Sequence, residues 1–130
     1  SILIESFNLI DGFISQISYR NIVSIALKLK KFDWSEKFIE DYKDKVAPEF
    51  RENSYNMNKA NLYYSIKEYD KTIQLLNQVE FTDAYFAYYS KIILLKTYYA
   101  KKEFETLPYF ITAFKLHLKR NNQVSSSFKK

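Results

Sequence analysis

Few side chains in this sequence have the types and spacing that catalysis requires. The chain of 130 residues has one histidine, His117, together with a single glycine and no cysteine. These counts exclude disulfides, thiol nucleophiles, cysteine-based zinc sites, paired-histidine metal motifs and glycine-rich phosphate loops. No serine and aspartate lie near His117 in the sequence to suggest a catalytic triad. We therefore expect a structural or surface role for this histidine. We predict no catalytic residue, no metal site and no cofactor, and hence a protein that is not an enzyme.

The densest group of carboxylates lies on one predicted helix, at Glu36, Glu40, Asp41 and Asp44. An acid pair or a metal site is one interpretation of this group. Lysines are interleaved with the acids at positions 37, 43 and 45, which favours a solvated face of mixed charge.

The net charge of +5 is unevenly distributed along the chain. Every acidic residue precedes position 106, whereas five basic residues follow it: Lys115, Lys119, Arg120, Lys129 and Lys130. Such a basic end favours contact with nucleic acid only weakly, because nucleic-acid-binding domains spread basic residues along one face. No charge-free stretch is long enough to cross a membrane, and no leader pattern is present. We therefore predict a cytoplasmic location and no membrane partner, and we do not favour nucleic acid as a partner. A chain that starts at Ser1 is expected to be a fragment or a processed product.

Apolar residues recur at three- and four-residue steps along nearly the whole chain, which is the pattern of amphipathic helices. The pattern predicts about seven helices, over 2–11, 14–30, 33–46, 50–66, 70–79, 84–101 and 105–120. Because the connections are short, consecutive helices must run antiparallel, as hairpins. Gly12 is the predicted left-handed stop of the first helix, and Asp33, Asp70 and Asp83 are predicted helix caps. We predict one all-α domain over 1–120 and a basic, disordered tail over 121–130.

A short motif recurs inside three of these hairpins. An aromatic residue is followed by an acid at positions 32–33, 69–70 and 104–105, and apolar residues follow each aromatic by about seven and ten positions. One hairpin cannot bury its apolar face alone, so hairpins that share a pattern are expected to stack on a continuous core. The predicted units cover 14–46, 50–79 and 84–120, and the helix over 2–11, with the apolar stripe Leu3, Phe7 and Ile10, is the remainder of a partial preceding unit.

The middle unit resembles the tetratricopeptide repeat family. Its run from Asn61 to Ile73, Asn-Leu-Tyr-Tyr-Ser-Ile-Lys-Glu-Tyr-Asp-Lys-Thr-Ile, is similar to the family's small-x-x-Tyr…Gly-x-Tyr-x-x-Ala-Ile core. The sequence departs from that core where the family has glycine, at Lys30, Lys67 and Lys102. The segments 19–39 and 114–120 also resemble tetratricopeptide-like proteins of Bacteroidetes bacteria, which implies a bacterial source and no particular activity.

The family resemblance implies a short right-handed solenoid of stacked hairpins, in which the first helix of each hairpin lines a concave groove. A protein partner would place a peptide segment or a helix in this groove. The candidate groove residues are polar or tyrosine: Arg20, Asn21, Ser24, Asn58, Asn61, Tyr64, Lys96 and Tyr99. Amide and basic side chains pair with peptide amides and carboxylates, and tyrosine is common in binding surfaces. For Tyr64 and Tyr99, packing between hairpins is the alternative.

The sequence therefore predicts a non-enzymatic protein–protein interaction module or scaffold. The first alternative is a structural segment of a larger protein, whose groove is filled by its own chain or by self-association. The second is a helical repeat that binds nucleic acid without sequence specificity.

Overall fold

A computed structural model of the protein describes residues 12–102 and 107–128. This part of the chain contains six α-helices: α1 (Gln16–Lys28), α2 (Phe32–Tyr42), α3 (Pro48–Ser65), α4 (Tyr69–Leu76), α5 (Ala84–Ala100) and α6 (Leu107–Phe128). It contains no β-strand, so the predicted all-α class is confirmed. Each helix corresponds to a predicted one, and the seventh, over 2–11, lies outside the described residues.

The chain divides into two compact units, residues 1–79 and 80–130. In the first unit α1 packs against α2 and α3, α2 packs against α3, and α3 packs against α4. In the second unit α5 packs against α6. The predicted pairing of consecutive helices thus occurs in all three hairpins, whereas a continuous domain over 1–120 stays a prediction.

The core of the first unit is built from α1, α2 and the residues that flank them. The buried cluster consists of Ile14, Tyr19, Val23, Leu27, Phe38, Ile39, Val46 and Leu62. The Tyr19 hydroxyl donates a hydrogen bond of 2.7 Å to the carbonyl of Ile39, and burial raises the pKa of this phenol. The backbone N–H of Ile14 donates to the carbonyl of Lys45 at 2.8 Å, in an isolated parallel bridge. This bond joins the start of α1 to the 3₁₀ turn after α2.

The turns inside the three hairpins share an unusual backbone geometry. Lys30, Lys67 and Lys102 have positive φ angles of 60°, 67° and 60°. The N–H of each lysine donates to the carbonyl three residues earlier, and the N–H groups of the next residues in the first two turns donate five residues back. Those two turns are complete Schellman motifs, a helix ending that normally takes glycine at the left-handed position. Three equivalent turns are therefore built on lysine, where the family resemblance expects glycine.

In the first two hairpins a new helix begins two residues after the left-handed lysine, and it begins without a side-chain cap. α2 begins at Phe32 and α4 at Tyr69, and neither has a capping side-chain hydrogen bond. The prediction that Asp33 and Asp70 are caps is therefore wrong, and both lie in the first turn, where a negative charge favours the helix dipole. The cap at Asp83 is confirmed by a 3.0 Å bond that its side chain accepts from the N–H of Phe86.

The last helix extends beyond the end near residue 120 that the sequence predicts. α6 continues to Phe128, so the polar segment after Asn121 is helical in the structure as far as that residue. The segment contains neither glycine nor proline, and its Asn, Gln and Ser residues each cost only a few tenths of a kcal/mol in a helix.

Candidate functional site

The shared turns give a common register for the first helices of the three hairpins. Leu27, Tyr64 and Tyr99 each lie three residues before a left-handed lysine, and their carbonyls accept that lysine's N–H at 3.0 to 3.1 Å. Ser24, Asn61 and Lys96 each lie six residues before it. The equivalence that the sequence predicts between Tyr64 and Tyr99 is therefore matched by the same backbone hydrogen bond in both helices.

In the first unit, the candidate groove residues lie on α1 and α3, two helices that pack against each other. Arg20, Ser24, Asn61 and Tyr64 are half-buried, and Asn21 is exposed. The Arg20 Nη1 donates to Asn21 Oδ1 at 3.3 Å. The pair of helices thus presents a guanidinium, two side-chain amides, a hydroxyl and a phenol ring to solvent.

Tyr64 is held by a second aromatic residue at the start of α4. Its ring lies 5.8 Å from the ring of Tyr69, at an interplanar angle of 52°. Burial, followed by the neighbouring Tyr69, raises the pKa of Tyr64. The ring is therefore oriented before any ligand arrives, and its hydroxyl is protonated at neutral pH.

Asn58, by contrast, does not reach the surface. Only 1% of the residue is exposed, and its Nδ2 donates a 2.7 Å bond to the carbonyl of Ser54 one helical turn earlier. Its Oδ1 and the Ser54 Oγ are buried without a hydrogen-bond partner among the described residues. Asn58 therefore belongs to the interior side of α3 and cannot contact a ligand on an open face.

In the second unit, both candidates lie on α5 and are exposed. Tyr99 is 67% exposed, and Lys96 is also at the surface. They occupy the positions on α5 that Tyr64 and Asn61 occupy on α3, when the helices are compared by distance from the left-handed lysine.

The carboxylates of α2 are not a purely solvated face, because two of them reach across to α3. The Lys59 Nζ lies 3.0 Å from Glu40 Oε1 and 3.5 Å from Glu36 Oε1. The Tyr55 hydroxyl donates to the same Glu40 oxygen at 2.5 Å, and Lys43 pairs with the other oxygen at 3.6 Å. Lys59 was not among the predicted site residues, and no local pattern singles it out, because Asn58 and Asn61 beside it are polar. Its burial in the structure, where it is 8% exposed, is what requires a carboxylate partner.

The pKa values of Glu40, Tyr55 and Lys59 shift in the directions that favour a charged Glu40–Lys59 pair beside a neutral phenol. The Tyr55 hydrogen bond is the largest influence that lowers the pKa of Glu40, and Lys59 lowers it further. Burial, followed by the bond to Glu40, raises the pKa of Tyr55 to about 12. For Lys59, burial lowers the pKa, but Glu40 and the other charges outweigh it and the pKa is raised. The cluster is a stable ion pair with a neutral phenol, which is an arrangement suited to joining two helices.

His117 lies half-buried on α6. Burial lowers the pKa of its imidazole, and the charges of Lys91 and Arg120 lower it further. Among the described residues, no group of three or more histidine, aspartate and glutamate side chains is placed to hold a metal ion. Of the described helices, none combines the length and the apolar character needed to cross a membrane.

The structure also has an exposed apolar face on the first hairpin that the sequence analysis did not single out. A pocket of about 480 Å³ between α1 and α2 is lined by Ile22, Ile25, Ala26, Leu29, Lys31 and Trp34. The Trp34 ring stacks on Phe38 at 5.3 Å and 7°, and Phe38 in turn stacks on Tyr42 at 4.8 Å. The only tryptophan of the chain thus forms one wall of the pocket.

The described residues define an all-α protein of two-helix hairpins with left-handed lysines at their turns. Comparison with known protein families, with curated proteins and with solved structures found no match for this chain. The equivalent turns and the exposed faces are accordingly the observations from which a function can be proposed.

Proposed function

We propose that this chain is a non-enzymatic protein-interaction module of repeated, tetratricopeptide-like hairpins. Its ligand is an extended peptide segment or a helix of a partner protein, bound on the face that α1 and α3 form together. The main support is the common register of the three first helices, which ends each of them in the same lysine turn. When equivalent helices pack side by side, their equivalent positions form one continuous surface.

The side chains on this face fit the chemistry of a peptide backbone. The amides of Asn21 and Asn61 each offer a donor pair and an acceptor, which is what an exposed peptide group requires. Arg20 offers donors for a carboxylate of the ligand, and can retain its bond to Asn21 while doing so. The ring of Tyr64, already oriented by Tyr69, supplies a flat apolar contact at little entropic cost.

A selection with a random peptide library displayed on phage, followed by titration of the selected peptides, tests this function. We expect Asn61→Ala and Tyr64→Ala each to weaken the binding of a selected peptide about tenfold, which corresponds to about 1.4 kcal/mol. Gln74→Ala and Lys37→Ala provide matched controls, because both residues are exposed on other helices of the same unit.

The proposal fails if selected peptides bind the Asn61→Ala and Tyr64→Ala variants as tightly as the parent chain. It also fails if the control variants weaken binding as much as the variants of this face. Circular dichroism and urea unfolding of every variant separate a lost contact from a lost fold, since a folded variant retains the helical signal and the unfolding midpoint.

A further inference from the structure

The last helix, α6, presents a stripe of exposed side chains on the side that faces away from α5. Its packing side is identified by Phe114, whose ring lies 6.1 Å from that of Tyr88 on α5, and by the half-buried His117. The opposite side consists of exposed residues, which we call the α6 outer face: Tyr109, Thr112, Ala113, Leu116 and Arg120. Tyr109 is 81% exposed and Leu116 is 50% exposed, so this face holds two large apolar side chains in solvent.

The spacing of the α6 outer face is that of a seam between two helices. Steps of four, three and four residues, the alternation of the a and d positions in a coiled coil, connect Tyr109, Ala113, Leu116 and Arg120. The small side chain of Ala113 lets a second helix approach closely near the middle of the seam. The Thr112 hydroxyl donates a 2.9 Å bond to the carbonyl of Pro108, so it is already paired within its own helix. The face is therefore shaped to receive one further helix.

The charges of the α5–α6 hairpin indicate what kind of helix this is. Neither α5 nor α6 contains an aspartate or a glutamate, whereas their lysines and arginines are Lys91, Lys96, Lys115, Lys119 and Arg120. The three basic residues of α6 are all exposed. Lys119 adjoins the α6 outer face, and Lys115 lies one turn before it on the same flank. A helix whose apolar stripe is flanked by acidic residues is complementary to this face in both pattern and charge.

The same charges disfavour the other occupants of an exposed helix face. Since α6 contains no acid, pairing it with the α6 of a second copy leaves its basic residues uncompensated in either orientation. An anionic membrane would attract these residues, but the binding of an interfacial helix scales with the apolar area that it buries. The α6 outer face offers two large apolar side chains and places Arg120 in the same stripe, which is a narrow seam rather than a broad apolar surface.

We propose that the α6 outer face binds an acidic amphipathic helix of a partner protein. The apolar side chains of that helix pack on Tyr109, Ala113 and Leu116. Its carboxylates pair with the basic residues of α6: Lys115, Lys119 and Arg120. The bound helix becomes the third helix of the α5–α6 hairpin. This inference goes beyond the proposed function and does not depend on it, because it rests on other helices than α1 and α3.

Two synthetic peptides of about 21 residues, or three heptads, test the proposal. Both carry leucine at the a and d positions, and they differ only at the flanking positions, which are glutamate in one peptide and lysine in the other. In fluorescence anisotropy titrations of the full chain, we expect the glutamate peptide to bind at least about tenfold more tightly, with a Kd that rises with salt. Leu116→Ser should weaken its binding about tenfold, which corresponds to about 1.4 kcal/mol.

A charge reversal on α6 provides the sharper test. In Lys115→Glu/Lys119→Glu the preference should reverse, so that the lysine peptide binds more tightly than the glutamate peptide. Lys28→Glu/Lys37→Glu is the matched control, because it changes the net charge equally at exposed positions of α1 and α2 and should retain the preference of the parent chain. Circular dichroism of each variant verifies that the helices are intact.

The proposal is overturned if the glutamate peptide binds no better than the lysine peptide, or if the control variant reverses the preference as well. An unchanged affinity in Leu116→Ser also overturns it, because the attraction is then one of charge alone. Two further results assign the face to another occupant and overturn the proposal equally. One is binding of phosphatidylglycerol-containing vesicles through Leu116 when neither peptide binds, and the other is a dimer in sedimentation that Leu116→Ser dissociates.

Discussion

Replacement of the left-handed lysines by glycine should stabilise the protein. A residue with a Cβ atom at φ near +60° costs about 1–2 kcal/mol relative to the right-handed region. Glycine removes this cost but adds about 0.5–1 kcal/mol of conformational entropy to the unfolded chain. Lys67 has a φ of 67° and an exposed side chain, so the substitution loses little contact. We therefore expect Lys67→Gly to stabilise the first unit by about 0.5–1 kcal/mol, and Lys30→Gly to do the same.

Urea unfolding followed by the fluorescence of Trp34 measures this effect, because Trp34 lies in the first unit and reports on that unit alone. Lys67→Ala is the matched control, since it removes the same side chain but retains the Cβ atom. Lys37→Gly, in the interior of α2, should instead destabilise by about 1 kcal/mol. The reasoning would be refuted if Lys67→Gly were no more stable than Lys67→Ala, because the left-handed conformation would then carry no cost that glycine relieves.

The polar contacts lead to two further predictions. Lys59→Met should destabilise the first unit by about 1.5 kcal/mol, because Glu40 loses a charged hydrogen-bond partner, and a double-mutant cycle with Glu40→Gln measures the coupling between them. The pKa of Glu40 is lowered, chiefly by Tyr55, so its contribution to the free energy of unfolding is present above the unfolded pKa of about 4.3 and is lost as the pH falls through the folded pKa. Urea unfolding of Glu40→Gln should therefore show a weaker loss of stability in acid than the parent chain. An unaltered pH profile of stability would contradict the assignment. For His117, a proton NMR titration of the single imidazole signal should give a pKa below that of a free histidine. Lys91→Gln should raise this pKa only in part, because burial is the larger cause of the shift. A full return of the pKa to that of free histidine would contradict this reasoning.

The sequence predicts the helices well because their apolar periodicity is a local property of the chain. The same holds for the turns, since the aromatic–acid motif identifies the three positions that the structure places in equivalent geometry. The predicted caps at Asp33 and Asp70 are wrong because a cap depends on where the helix begins relative to such a turn. Asp33 and Asp70 have the type and spacing of caps, but the Schellman turn moves the helix start ahead of them.

The site was less predictable, because it depends on how α3 is rotated against its neighbours. Asn58 and Asn61 differ by three positions on α3, and only Asn61 retains exposure. α3 packs against α1, α2 and α4, so polar residues such as Asn53 and Asn56 are buried although the helix has no strong apolar face. The pairing of Lys59 with Glu40 likewise joins residues of different helices, which no local pattern specifies.

The bond between Ile14 and Lys45 has a consequence for the order in which the first unit assembles. Most of the packing in this unit joins consecutive helices, a topology that favours rapid folding, and α1 also packs against α3 across a longer stretch of chain. The bond joins residues on either side of the first hairpin, so we expect it to form together with the α1–α3 packing rather than with the first helical turns. Once formed, it ties the start of α1 to the rest of the unit. Hydrogen exchange at the Ile14 amide should therefore follow the opening of the whole unit rather than the fraying of one helix end.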